Sequence, residues 1–113
     1  MKPSGNKRKT DRTAALKPTD IVIGEASYRV YDISNEGIGI VVGAFGHPFH
    51  IGQRIKAIPI VLEAGDRHLS GVVAHITKTS KHVLCGIRFL LRDGDELRAV
   101  VRFRQERRLA EQG

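Results

Sequence analysis

Two β-rich runs joined by a short polar segment constrain the fold of this chain more than any other feature. They lie between Ser27 and Val42, in the stretch SYRVYDISNEGIGIVV. β-Branched and aromatic residues dominate both runs, and such residues favour strands. The segment between them, from Asp32 to Gly37, is rich in residues that form turns. The sequence therefore predicts two consecutive strands joined by a polar turn.

The polar turn carries three candidate ligand-binding residues. Asp32 and Ser34 are two positions apart, and side chains at that spacing leave the same face of a strand. Both have short side chains with hydrogen-bonding oxygens. Gly37 has no Cβ, so it permits a positive φ or the close approach of a ligand to the backbone. A plain turn would use the same residue types, and both interpretations stay open at this point.

The rest of the chain predicts a small β-rich domain with a C-terminal helix. Further strands are expected at Asp20 to Gly24, Arg54 to Leu62, Arg67 to Ile76 and His82 to Leu91. Six short strands separated by tight turns suggest a small barrel. The helix is expected to begin at an Asp93 cap with Glu96 three residues later. Its apolar face, which consists of Leu97, Val100 and Val101, is expected to pack on the barrel. The arginines expected to lie mostly outside are Arg98, Arg102, Arg107 and Arg108.

Charge and composition narrow the class of partner. The 113 residues carry a formal net charge of +7, which favours an anionic partner, but only 5% are aromatic and none is tryptophan. Few rings are therefore available to stack on nucleic-acid bases. Cys85 is the single cysteine, which excludes an internal disulfide and fits a reducing cytoplasm. No apolar run is long enough to span a bilayer, so we expect a cytoplasmic protein without membrane insertion.

Enzymatic and metal sites are not expected. No serine, histidine and acid are arranged in a recognisable local signature. His47 and His50 lie in a predicted loop without the further ligands that define a zinc site. We therefore expect a binding protein that is not an enzyme, with no metal and no cofactor.

The N-terminal residues form a second candidate binding element. We expect residues 1–13 to be a flexible basic arm and residues 14–113 to be the folded domain. Within the arm, Arg8 and Arg12 are separated by three residues. A guanidinium group binds a phosphate, or the O6/N7 edge of guanine, through two hydrogen bonds. Lys7 and Lys9 add charge without that geometry.

Arg8-x-x-x-Arg12 followed by Asp32-x-Ser34-x-x-Gly37 resembles the two signature motifs of the PilZ domain family of bacterial cyclic di-GMP receptors. Three later segments also resemble the family: Gly71-Val-Val-Ala-His-Ile, Cys85-Gly-Ile-Arg-Phe and Val101-Arg-Phe. The resemblance implies a mainly β fold, namely a six-stranded antiparallel β-barrel with a flexible arm that folds over the ligand. It also implies a C-terminal α-helix.

The resemblance further implies a role for each motif residue. The two arginines would clamp guanines and phosphates, Asp32 and Ser34 would hydrogen-bond a guanine, and Gly37 would let the base approach. His75 and Arg88 are secondary candidates, because the late hairpin could face the ligand and either planar group could stack on a guanine.

The sequence thus predicts a cyclic di-GMP receptor that orders its arm on binding and relays the signal to a partner in exopolysaccharide or motility machinery. Two alternatives stay open: a PilZ-like protein adaptor that needs no ligand, and a basic β-barrel that binds nucleic acid. The sequence also leaves open whether one or two ligand molecules bind, the oligomeric state and the identity of the partner.

Overall fold

The computed structural model describes residues 16–43 and 47–108. Its elements, in chain order, are β1 (Asp20–Ile23), β2 (Ala26–Ile33), β3 (Gly37–Val42), β4 (Arg54–Ile60), β5 (Arg67–Lys78), β6 (Val83–Phe89) and α1 (Gly94–Arg107). The six predicted strands and the predicted helix are confirmed. The predicted arm, residues 1–13, lies outside the described residues.

The strand ends differ from the predicted ones by up to two residues. β4 and β6 are shorter than predicted, whereas β5 continues to Lys78 because its last residues pair with β6. Thr77 pairs with Leu84, and Lys78 pairs with Val83. Neither residue is apolar, so the extension depends on the partner strand and not on the local pattern.

All six strands form one antiparallel sheet in the order β1-β2-β3-β6-β5-β4. The two end strands, β1 and β4, pack against each other, so that the sheet curves into a nearly closed barrel. The predicted mainly β barrel is confirmed. Because β6 lies between β3 and β5, the late hairpin sits beside the polar turn that joins β2 to β3.

Isoleucines dominate the interior of the barrel. The large side chains with less than 2% exposure include Ile33, Ile38, Ile40, Ile58, Ile60, Leu69 and Ile87. They come from five different strands and follow the two-residue period that one buried face of a strand requires. Burying each such side chain contributes about 1.5–3 kcal/mol relative to leaving it exposed. The residues between them point outward and are available to form a surface site.

The C-terminal helix begins as predicted but packs with a different face. Asp93 is the N-cap, and its carboxylate accepts a hydrogen bond from the Glu96 backbone nitrogen at 3.0 Å. The expected burial of Leu97 is wrong, because this side chain is 41% exposed. Glu96 is buried in its place together with Ala99, Val100 and Phe103. Burial of that carboxylate is possible because Arg92 donates to it through both its backbone nitrogen and its guanidinium group.

One arginine of the helix also departs from the expectation that it would lie outside. Arg107 is half-buried, and its guanidinium carbon lies 4.8 Å from the centre of the Phe103 ring. Within the described residues, no helix is both long and apolar enough to cross a membrane.

Candidate functional site

Four outward-facing residues from four neighbouring strands form one row across the barrel, in the order Asp32, Gly39, Gly86 and His75. Each pairs directly with the next in the register of the sheet. Neighbouring strands are about 4.8 Å apart, so the row spans roughly 14 Å between its end residues. The two central residues have no side chains beyond hydrogen, and the row therefore has a flat floor with polar groups at both ends.

A β-bulge in β2 aims Asp32 at this floor. Val30 pairs with Ile40, but Asp32 pairs with Gly39, so Tyr31 is an extra residue on its strand. A bulge of this kind breaks the strict alternation of side chains. Val30 and Ile33 remain inside, while Tyr31 is exposed and Asp32 is half-buried.

Ser34 does not accompany Asp32 on the outer surface, and the expectation that both side chains leave one face is wrong. Ser34 lies beyond the end of β2 and is completely buried. Its hydroxyl oxygen accepts hydrogen bonds from the backbone nitrogens of Glu36 and Gly37, each at 3.1 Å. The Ser34 backbone nitrogen also donates to the Gly37 carbonyl at 2.8 Å. The Ser34 side chain therefore closes the turn, as expected for a plain turn.

The turn is tied to two other elements. The Phe89 backbone nitrogen, at the end of β6, donates to the Glu36 carbonyl at 2.8 Å. From α1, the guanidinium of Arg104 donates to the Asn35 side-chain oxygen at 2.8 Å. The polar turn is thus held between the barrel and the helix, which fixes the Asp32 end of the row.

Gly37 is required by strand packing. Its φ is not positive, so it does not serve the turn through a left-handed conformation. A Cβ at this position would collide with the carbonyl oxygen of Ile87 and lie 3.2 Å from the Arg88 Cα. The backbone of β6 therefore lies against Gly37, and the approach of a ligand to this glycine stays a prediction.

His75 covers the second glycine of the row. A Cβ on Gly86 would collide with the His75 imidazole, so the ring lies directly over this residue. The bulge at Ala74, between the paired residues Val73 and His75, helps to bring His75 to the outer face. The secondary candidate His75 thus stands at the opposite end of the row from Asp32, with Gly39, which is buried, and Gly86 between them.

Two adjoining depressions flank the His75 ring. The larger, which we call the Asp32 depression, has a volume of about 390 Å³ and is lined by Tyr31, Asp32, Gly39, His75, Thr77, Leu84, Cys85 and Gly86. The smaller has a volume of about 160 Å³ and is lined by Glu36, Gly37, Ile38, Ala74, His75, Gly86, Ile87 and Arg88. The structure therefore brings together Asp32, Gly37, His75 and Arg88, and leaves Ser34 beneath the turn.

Cys85 lies at the base of the Asp32 depression but is a core residue. It is fully buried, and burial raises the pKa of its thiol to about 11. A thiol with so high a pKa is not a nucleophile at neutral pH. Cys85 is therefore a packed residue of β6.

Arg8, Arg12, Lys7 and Lys9 lie outside the described residues. The described chain begins at Leu16, which pairs with Arg108, and the Lys17 backbone nitrogen donates to the Arg107 carbonyl at 2.8 Å. A third depression of about 300 Å³, which we call the arm-side depression, lies here and is lined by Leu16, Lys17, Pro18, Arg29, Val30, Tyr31 and Val41. Tyr31 also lines the Asp32 depression, so the two are neighbours.

Sequence reasoning gave no binding role to the two glycines of the floor or to Tyr31. Gly39 follows the second motif by two residues, and Gly86 stands in an otherwise apolar strand, where an isolated glycine is a signal for close approach. That signal was present, but only the register shows that the two glycines are paired. Nothing in the local pattern predicted the bulge that turns Asp32 to the same face as Tyr31.

Several solved structures have a similar fold. The PilZ domain of YcgR from Escherichia coli with c-di-GMP aligns with a TM-score of 0.65 and 17% identity, over 88% of this chain and 90% of that one. The inhibitor of motility MotI/DgrA from Bacillus subtilis aligns with a TM-score of 0.63 and 21% identity, over 94% and 56%. The MrkH–c-di-GMP complex from K. pneumonia aligns with a TM-score of 0.65 and 18% identity, over 84% and 49%. This chain thus spans about half the length of MotI and MrkH.

A comparison with curated proteins gave no match. The family model for the PilZ domain, however, matches residues 6–106. This span includes both motifs, the whole barrel and nearly all of α1. With the barrel topology and the shared fold already established, the conclusion is that this chain belongs to the PilZ domain family.

Proposed function

We propose that this chain is a receptor for cyclic di-GMP that passes ligand occupancy to a partner protein. The observation that carries the proposal is the row from Asp32 to His75, with its glycine floor, in a PilZ domain that also retains Arg8 and Arg12 within the matched span. The similar YcgR domain and MrkH were both solved with this dinucleotide.

Asp32 suits the Watson–Crick edge of guanine. A carboxylate is a pure acceptor when ionised, and guanine presents two adjacent donors, the N1–H and the 2-amino group. Adenine lacks both donors, so it cannot offer this carboxylate the same pair of hydrogen bonds. Asp32 selects guanine in this proposal, and the base lies on the flat surface over Gly39.

The arginines of the arm suit the phosphates and the second base. Arg12 is four residues before Leu16, and four residues of extended chain reach about 14 Å. Since Leu16 lines the arm-side depression, which adjoins the Asp32 depression, Arg12 can reach a ligand bound at Asp32. Arg88, exposed at the edge of the smaller depression, adds a further cation. Lys7 and Lys9 supplement the charge.

Ser34 and Gly37 act on the ligand indirectly in this proposal. The buried hydroxyl of Ser34 holds the turn that orients Asp32, and Gly37 permits the pairing of β3 with β6 that builds the floor. The second motif is thus divided between one contact residue and two residues that position it.

The relay to a partner has a physical starting point at the helix. The Arg104–Asn35 hydrogen bond joins α1 to the polar turn, so a ligand that shifts the turn also acts on the helix. We propose that the arm becomes ordered over the ligand and, together with α1, forms the surface that a partner recognises. MotI is named as an inhibitor of motility, and motility or exopolysaccharide machinery is the partner class we propose here.

Isothermal titration calorimetry with cyclic di-GMP tests the proposal. We expect saturable binding by the wild type, and a loss of about fivefold or more for Arg8→Ala and Arg12→Ala, because a bidentate arginine contact contributes about 1–3 kcal/mol. Arg102→Ala is the matched control: it removes the same charge from an exposed position on α1 and should keep wild-type affinity.

Two results would contradict the proposal. Absence of binding by the wild type would favour a ligand-independent adaptor, and displacement of the ligand by a random oligonucleotide would favour a nucleic-acid barrel. Amide exchange across residues 7–12 tests the arm separately: these amides should gain protection on binding, and equal exchange with and without ligand would refute the ordering.

A further inference from the structure

Tyr31 stands beside Asp32 on the outer face because of the β2 bulge. In a regular strand, two consecutive side chains leave opposite faces. Here Val30 points inward, so alternation places Tyr31 outward, and the register shift between Val30 and Asp32 turns Asp32 to the same outer face. Tyr31 and Asp32 therefore share the outer face, on Cα atoms about 3.8 Å apart.

Tyr31 differs from the other described phenylalanine and tyrosine residues in its exposure. Within residues 16–43 and 47–108, the others are buried or half-buried: Tyr28, Phe49, Phe89 and Phe103. Tyr31 is 46% exposed. The core therefore does not use most of this ring, and its surroundings decide what it is available for.

The position of Tyr31 is between the two depressions that the proposed ligand needs. One contains the carboxylate of Asp32 and the glycine floor, with a volume of about 390 Å³. The arm-side depression has a volume of about 300 Å³ and is lined by Leu16, four residues after Arg12. A molecule bound to Asp32 and to the arm arginines at once must pass over or beside Tyr31.

A second ring holds Tyr31 in place. The centres of the Tyr31 and His82 rings are 6.2 Å apart, and their planes are inclined at 60°. Edge-to-face contact between two rings at this distance is favourable. It restricts the side chain without stacking over it, so a planar ligand meets a ring that is already oriented and loses less conformational entropy on binding.

A guanine base needs two different neighbours, one for its edge and one for its face. A carboxylate that accepts hydrogen bonds from the N1–H and 2-amino groups of a base lies in the plane of that base. Asp32 therefore cannot also cover the ring face. An aromatic ring on an adjacent residue is suited to that second contact. We infer that Tyr31 is a stacking platform for one guanine of the ligand, which makes it a further affinity-determining residue of this site.

This inference rests on the proposed cyclic di-GMP function, and calorimetry on two Tyr31 variants tests it. Removing an aromatic side chain on which a base stacks weakens binding by about fivefold to 150-fold. We expect a loss in that range for Tyr31→Leu, which keeps apolar bulk but has no ring. Tyr31→Phe keeps the ring and should stay within about twofold of the wild type. The control is Val22→Ala, which changes a 51% exposed apolar residue on β1.

A second readout follows the ring itself. The chain has two tyrosines and no tryptophan, so the Tyr28→Phe variant contains Tyr31 as its single tyrosine. Its ring proton signals in NMR spectra should shift on addition of cyclic di-GMP, because a stacked purine imposes a ring current. Thermal melts of all variants check that the fold is kept.

The outcomes separate the platform from the function. No binding by the wild type overturns the proposed function and the platform with it. If the wild type binds and Tyr31→Leu matches it within twofold, the platform is refuted while the function stands. If Tyr31→Phe is as weak as Tyr31→Leu, the hydroxyl carries the effect and stacking is refuted. Unshifted Tyr31 ring signals at saturating ligand would also refute stacking.

Discussion

Replacing Gly37 with alanine distinguishes a glycine that serves the barrel from one that serves the ligand. The added methyl group would collide with the Ile87 carbonyl oxygen and lie 3.2 Å from both the Ile87 carbonyl carbon and the Arg88 Cα. All three atoms are backbone atoms of β6. No side chain can rotate to make room, so β3 and β6 must separate locally.

The expected cost follows from two opposing terms. Forcing an extra methyl group into a packed region typically costs about 1–3 kcal/mol. Replacing glycine with alanine also reduces the entropy of the unfolded chain, which stabilises the fold by about 0.4–1 kcal/mol where the backbone conformation allows it. The φ of Gly37 is not positive, so that gain applies. We expect Gly37→Ala to lower the free energy of unfolding by about 1–2 kcal/mol, and the melting temperature by about 4–8 °C for each kcal/mol.

Urea unfolding followed by far-UV circular dichroism measures this change. The matched control is Gly94→Ala at the start of α1, where the nearest atom to the new Cβ would be the Arg98 Nη1 at 3.6 Å, an ordinary contact. That variant should equal or exceed the wild type, since alanine favours helix more than glycine does. If Gly37→Ala unfolds at the wild-type midpoint but loses affinity for cyclic di-GMP, the glycine serves the ligand and the packing argument is refuted.

Three further changes have definite expected outcomes. Ser34→Ala leaves the Glu36 and Gly37 backbone nitrogens without their acceptor, so urea unfolding should show a loss of about 1–3 kcal/mol; a wild-type midpoint would contradict the role of the hydroxyl in the turn. Hydrogen bonds from Arg92 lower the pKa of Glu96 below its usual value of 4.5. The ionised carboxylate therefore contributes its whole stabilisation above pH 4.5, and this stabilisation is lost as the pH falls through the pKa of the folded state. Melts from about pH 6 to pH 3 should therefore show a smaller acid loss for Glu96→Gln than for the wild type, and equal losses would contradict this. Wild type should bind cyclic di-GMP more tightly than cyclic di-AMP, and Asp32→Ala should narrow that difference in paired titrations; an unchanged preference would remove Asp32 from base selection.

Local sequence patterns were sufficient for the elements themselves. β-Branched residues at alternate positions placed all six strands to within two residues, because the side-chain period of a strand is a property of the strand alone. Asp93 was identified as the helix cap for a similar reason, since its carboxylate bonds to a nitrogen only three residues later. Asp32 was likewise identified within the turn motif.

The face of the helix could not be read from its own sequence. Leu97 looked like a core residue and Glu96 like a surface one, yet their exposures are reversed. A charged side chain is normally excluded from the core because its burial is costly without hydrogen-bond partners. Here Arg92 donates three hydrogen bonds to the Glu96 carboxylate, so Glu96 can be buried. The direction in which α1 packs then decides which side chains meet the barrel.

The strands, the helix, the motifs and the carboxylate chemistry of Asp32 can all be read from the amino-acid sequence. The surroundings of Asp32 cannot, because the row of Asp32, Gly39, Gly86 and His75 depends on the order and register of strands far apart in the chain. A bulge shifts that register by one residue and turns Asp32 outward, beside Tyr31. Register is set by long-range packing of both strands, so no local pattern within β2 could specify it.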